Sequence, residues 1–142
     1  MSENRIHLEF AVSGNNFASA GSASEEVKST LKKLGIASAD IRRVAIAMYE
    51  GEINMVIHAG GGVATADIYL DRIEIVLADK GKGIPDVELA MMPGWSTAPE
   101  DIRALGFGAG MGLPNMKKYT DEFVIESEVG VGTTVKMTIF FT

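Results

Sequence analysis

Cysteine is absent from the chain, which excludes disulfides, thiolate zinc sites and cysteine-ligated clusters together. Histidine is nearly as scarce, with His7 and His58 alone, so a multi-histidine metal site is not expected. No run approaches the roughly 18 uninterrupted apolar residues that a membrane helix needs. The start, Met1-Ser-Glu-Asn-Arg-Ile-His7, carries charge with no apolar stretch behind it. The small-residue run Ala18-Ser-Ala-Gly21 is therefore not read as a cleavage site. These absences point to a cytoplasmic domain with no membrane partner. Basic side chains are also in deficit, 13 against 19 acidic for a net charge of -6. Direct nucleic-acid binding by phosphate neutralisation is disfavoured.

What is present is ordinary with one exception. A 46% hydrophobic and 23% charged composition over 142 residues describes a single globular domain, 1–142, able to bury roughly two-thirds of its unfolded surface. Glycine is the exception, at 16 of 142 residues, about 11% against a usual ~7%.

Arg5 to Val12 alternates, with Ile6, Leu8, Phe10 and Val12 on one side, and predicts a half-buried strand. Val27, Leu31 and Leu34 recur at helical spacing within Phe17–Leu34, before a stop at Gly35. Ser38-Ala-Asp40 offers N-cap candidates for a second helix from Ile41 to about Ala59. That helix is apolar on most sides, so it should be central and buried. Gly60-Gly-Gly62 ends it, and Val63–Leu70 and Ile73–Ala78 read as strands joined by Asp71-Arg72. Pro85 to Gly106 reads as a short helix and an irregular segment, and Met111 to Tyr119 as helix-compatible. Glu122–Glu128 and Thr133–Phe141 alternate as strands around Val129-Gly-Val-Gly132. The class is α+β, a mixed or antiparallel sheet with helices on one face.

The glycines concentrate after the second hairpin strand, in Asp79-Lys-Gly81-Lys-Gly83-Ile-Pro85 and in Gly106-Phe-Gly108-Ala-Gly110-Met-Gly112-Leu113. Without a Cβ, backbone N–H groups can approach phosphate oxygens, and a helix N-terminus adds partial positive charge. Neither the P-loop nor the dinucleotide fingerprint fits the spacing, and either run alone could be a set of turns. On the second helix, Glu50 and Asn54 stand four apart, hence on one face with Cβ atoms about 5–6 Å apart. A carboxylate and a carboxamide in an apolar helix are either a packed polar pair or part of a site.

Taken in order, Glu50-Gly-Glu-Ile-Asn54, Asp79-x-Gly81-x-Gly83, Gly108-x-Gly110-x-Gly112-Leu113 and Gly130-x-Gly132-Thr133-Thr134 resemble the four nucleotide-binding boxes of the GHKL ATPase superfamily. Val44 to Ala59, Gly94-Trp-Ser-Thr97 and Leu105 to Pro114 look most like the stand-alone anti-sigma serine/threonine kinases and their switch-kinase relatives. The resemblance covers nearly the whole chain. It implies a Bergerat-type two-layer α/β sandwich with a mixed sheet, and ATP with Mg²⁺ as cofactors. By the same resemblance Asn54 would hold Mg²⁺, a cation that keeps most of its waters, and Asp79 would accept from the adenine amino group. Thr133 or Thr134 would support adenine through water. Gly81, Gly83, Ile84, Thr97, Gly108, Gly110, Gly112 and Leu113 would line the nucleotide. Glu50 would be the general base towards a protein hydroxyl, in a reaction that is mostly positioning and charge stabilisation.

Other residues tempt less. Glu52 is about 200° around the helix from Glu50 and should point away from the site. Lys80 and Lys82 read as solvated, Arg103 as a residue of a lid, His58 as a packed or capping histidine, and Trp95 as a lid or partner contact. Met48, Met55, Met111 and Met116 read as core filler. The implied partners are a small STAS-type anti-anti-sigma protein and a sigma factor or phosphatase, and a homodimer is allowed. The competing reading is a nucleotide-dependent binding module with little or no kinase activity. Glu50 favours the enzyme, since a pure binder needs no base beside the metal.

Overall fold

The computed structural model describes residues 4–14, 21–81, 83, 84, 87, 91 and 112–142. Within them run β1 (Ile6–Ser13), α1 (Ser22–Lys33), α2 (Ser38–Ala59), β2 (Gly61–Ile68), β3 (Arg72–Ala78), α3 (Gly112–Lys118), β4 (Glu122–Glu128) and β5 (Gly132–Phe140). The five strands form one sheet in the order β1-β2-β3-β5-β4. Every pairing is antiparallel, which resolves the mixed-or-antiparallel alternative for the described strands.

Alternation explains which face is covered. Ile73, Ile75 and Leu77 of β3 lie opposite Ile139, Met137 and Val135 of β5, and all six are buried. On the other side of β3, Ile68, Ala66 and Ala64 of β2 continue the same rows. The two alanines are fully buried, and their small side chains let α2 come close to β2. Val44, Ala47, Met48 and Met55 of α2 fill this layer with Val27 and Leu31 of α1 and Leu113 and Met116 of α3. Burying a side chain such as Val44 or Met48 stabilises the fold by about 1.5–3 kcal/mol. Both α1 and α3 pack on α2, so the expected central helix is central. The opposite face carries His7, Glu9, Thr65, Glu74, Lys136 and Glu126, none of them buried.

Element ends differ from the sequence expectations for local reasons. Helix α2 starts at Ser38, with Ala37 as its N-cap and no side-chain cap. Asp40 does not cap it. Its carboxylate, 1% exposed, accepts instead from the backbone N–H and hydroxyl of Thr142, both at 3.0 Å. Gly60 alone ends the helix in a left-handed conformation. Gly61 and Gly62 already belong to β2, where a Cβ at either would collide with Val12 or Ala78 backbone. The hairpin turn sits one residue earlier than expected, closed by Tyr69 N–H donating to Arg72 carbonyl at 2.8 Å. Helix α1 begins at Ser22 after Gly21, and the Phe17–Ala20 part of the expected helix lies outside the described residues.

Candidate functional site

Three elements meet at one end of the sheet: the end of β3, the β4–β5 hairpin and the second half of α2. Asp79 follows β3 directly. Its Oδ1 accepts from the N–H of Gly81 at 2.9 Å and of Thr133 at 3.1 Å, while its own N–H donates to the Thr133 carbonyl at 2.9 Å. The carboxylate is thereby held in one orientation by two backbone donors, an arrangement stronger than neutral hydrogen bonds. Thr133 is buried, and its hydroxyl shares a 2.8 Å hydrogen bond with Ser127. Ser127 Oγ in turn accepts from the N–H of Ile84 at 2.7 Å. Asp79, Gly81, Ile84 and Thr133, read separately from the sequence, are thus one hydrogen-bonded unit.

Sequence reasoning missed Ser127. A signal was available, because the short Val129–Val131 turn sets Ser127 opposite Thr133 in the hairpin register.

The glycines after β3 are required by protein packing. A Cβ on Gly81 would stand 2.8 Å from Ala59 at the end of α2, closer than real Cβ atoms approach. Gly83 has φ +81, and its Cβ would collide with the Glu128 carbonyl. These two positions therefore clamp the loop between α2 and the hairpin, whatever else they line.

Along α2, Asn54 lies five residues before Ala59 and Glu50 nine, about 7.5 and 13.5 Å back along the axis at 1.5 Å per residue. Both are half-buried. Glu50 Oε1 accepts from Asn115 Nδ2 on α3 at 3.4 Å. Between them Gly51 lets β3 and α3 close on the helix, since a Cβ there would collide with Leu77 and sit 3.3 Å from Met116 Sδ. Leu113 belongs to the core. Gly112 opens α3. Thr97, Gly108, Gly110, Arg103, Trp95, Lys82 and Met111, and the side chain of His58, lie outside the described residues.

Glu52 faces away from Glu50, as its helical angle requires, but it is not idle. It is 2% exposed, and its carboxylate accepts from the N–H groups of Ser24 at 2.6 Å, Gly21 at 3.0 Å and Ala23 at 3.3 Å. A side chain of α2 thus satisfies the free donors at the start of α1, which has no side-chain cap of its own. Among the described residues, no group of three or more His, Cys, Asp or Glu side chains could hold a metal ion. An amide oxygen such as that of Asn54 suits Mg²⁺, which is usually bound by few protein ligands plus phosphates and waters.

Comparison with known proteins decides the family. Residues 15–139 match the histidine kinase-like ATPase domain. The chain belongs to that family. It is 33% identical over 113 residues to the serine/threonine-protein kinase RsbT of Bacillus subtilis, covering 77% of this chain and 79% of that protein. It is 38% identical over 104 residues to the anti-sigma F factor of Caldanaerobacter subterraneus, covering 70% of this chain and 69% of that protein. The anti-sigma F factor of Geobacillus stearothermophilus is 29% identical over 138 residues, covering 93% and 89%. Among solved structures, a Mycobacterium tuberculosis chain containing RsbU and RsbW domains superimposes with a TM-score of 0.66 at 17% identity, over 96% of this chain and 32% of that one. That likeness supports the fold of this ATPase domain. No helix among its described residues is long and apolar enough to cross a membrane.

Proposed function

We propose that this domain is an ATP-dependent serine/threonine protein kinase of the anti-sigma regulatory type. It transfers the γ-phosphate of ATP to a serine or threonine of a small STAS-type antagonist. The observation that carries the reading is the Asp79–Thr133 unit lying against the end of α2 at Ala59, the helix that also carries Asn54 and Glu50, inside a histidine kinase-like ATPase fold. Family membership and the kinase and anti-sigma names of the relatives support it. Residues 1–142 act as one domain, consistent with a single core joining α1, α2, α3 and the sheet.

Each residue has a defined task. Asp79 Oδ1 is engaged by Gly81 and Thr133, so Oδ2 is the oxygen that accepts from the adenine amino group. Guanine presents an oxygen there and is repelled. Thr133 and Ile84, tied through Ser127, shape the wall beside the base, with Gly81 and Gly83 holding the loop in place. Asn54 offers the amide oxygen for Mg²⁺, with Gly108, Gly110, Gly112, Leu113 and Thr97 contributing to the phosphate side. Bound there, Mg²⁺ would draw charge from the phosphate oxygens of ATP. Glu50 accepts the proton of the incoming hydroxyl as that oxygen bonds to the γ-phosphorus, the bond to the bridging oxygen breaks and ADP leaves.

The domain works in partner switching with sigma factors or anti-anti-sigma proteins. Its acceptor is a STAS domain, and it acts in the cytoplasm.

The test follows labelled phosphate from Mg·ATP into a purified STAS domain, with ATP affinity measured in parallel. Glu50→Ala should lose about 10²–10⁴-fold in rate with ATP affinity nearly intact. Unchanged transfer in Glu50→Ala would remove Glu50 as the base, and a parent protein that transfers no phosphate would return the chain to the binding-module reading.

A further inference from the structure

We infer that Asn115 is a positioning residue for Glu50. The inference rests on the kinase reading above and adds to it a residue on a different helix.

The two side chains are 65 positions apart, and Asn115 Nδ2 reaches Glu50 Oε1 at 3.4 Å in a partly buried setting. The direction follows from chemistry, because an ionised carboxylate only accepts and the amide nitrogen only donates. The contact is long, as hydrogen bonds of catalytic groups often are before substrate binds, and it has room to shorten.

Asn115 has a rigid mount. Leu113 and Met116 on either side of it are buried in the core. Met116 approaches α2 at Gly51, the residue next to Glu50, where an added Cβ would sit 3.3 Å from Met116 Sδ and collide with Leu77 of β3. The Met116 contact, one residue from Asn115 and one from Glu50, holds the two helices together at the height of this pair.

Glutamate has three rotatable side-chain bonds, and a base must meet its proton within hydrogen-bond reach. An amide from a packed helix restricts the carboxylate to one side. Being neutral, it does so without pairing off the negative charge, as a lysine or arginine in its place would. Position 115 is half-buried, so its loss leaves no sealed cavity, and an effect on rate can be separated from an effect on folding.

The experiment measures kcat and ATP KM for transfer from labelled Mg·ATP to a purified STAS domain, with a melting curve for each variant. Asn115→Ala should lower kcat about tenfold with KM for ATP unchanged. Asn115→Gln, which keeps the amide, should recover part of that loss. Asn115→Asp, the same size but facing Glu50 with a like charge, should be at least as slow as alanine. On a Glu50→Ala background, Asn115→Ala should cost nothing further, because the group it orients is gone.

An unchanged kcat in Asn115→Ala, a loss confined to KM, or full additivity with Glu50→Ala would overturn the positioning role while leaving the kinase reading intact. A parent protein that transfers no phosphate would overturn the kinase reading and this inference with it. A Glu50→Ala variant as fast as the parent would overturn the base role of Glu50 and this inference while leaving the kinase activity standing.

Discussion

Replacing Glu52 with glutamine should unfasten α1 and leave the chemistry of Glu50 alone, although the two residues are only two positions apart. The carboxylate is 2% exposed and takes three backbone N–H groups, at 2.6 Å on one oxygen and at 3.0 and 3.3 Å on the other. Glutamine has one oxygen, so it can serve one of these sides while its NH₂ group faces N–H donors on the other. Hydrogen bonds to a charged group are worth about 1.5–3 kcal/mol each, and a buried donor left without a partner adds its own desolvation cost. The three bonds share one carboxylate and are not additive, so a loss of about 2–4 kcal/mol is expected. At roughly 3–4 °C per kcal/mol for a domain of this size, Tm should fall by about 6–16 °C. Thermal unfolding by circular dichroism reads this directly, and phosphotransfer below the transition should persist. The partner variant Glu50→Gln should show the opposite pattern, with a small change in Tm and a large loss of transfer. A Glu52→Gln protein that melts within about 2 °C of the parent would refute the account of α1 as a helix held from α2.

Asp79→Asn should weaken ATP binding by about 1.5–3 kcal/mol, and calorimetry showing equal ATP and GTP affinity in the parent would sink the adenine assignment. Asn54→Ala should abolish the Mg²⁺ requirement together with turnover, so nucleotide binding and turnover indifferent to EDTA in the parent would show α2 misread. Gly51→Ala should destabilise despite the roughly 1 kcal/mol that alanine adds to helix propensity, because overpacking against Leu77 and Met116 costs about 1–3 kcal/mol or more; a raised Tm would contradict the close approach. The carboxyl of Asp121 lies below its ordinary value of 3.8, chiefly because the Phe140 N–H donates to it, with Arg43 assisting and desolvation opposing. A lowered folded-state value means the stabilisation is complete above the unfolded value and is lost as pH falls through the folded one. Asp121→Asn should therefore flatten the acid limb of the stability curve below about pH 4, a small effect because the group is partly exposed; an unaltered limb would remove Asp121 from that account.

Much of this site was legible because its signals are short-range. The four-residue step from Glu50 to Asn54, the alternation of β3 and β5, and the stop at Gly60 each depend on a few consecutive residues. Backbone sterics and side-chain periodicity act over that distance. The glycines after β3 were legible as a nucleotide-type run, but their packing duty was not. Nothing local says that Gly81 must pass within 2.8 Å of Ala59 or that Gly83 abuts Glu128.

The sequence by itself determined the class, the order of elements, the inward faces of the strands and the face of α2 that carries Glu50 and Asn54. It also determined that Glu52 must leave that face, since a step of two residues turns a helix side chain to the opposite side. Only the tertiary structure decided where Glu52 goes, to α1, and that Asp40, expected to cap α2, lies within it and turns to Thr142. It likewise decided that Thr133 meets Asp79 across 54 residues, that Ser127 links them to Ile84, and that Asn115 reaches Glu50 across 65. Such meetings depend on strand register and on how closely α2, α3 and β3 can pack. Those are set by the whole core at once, so no local spacing encodes them.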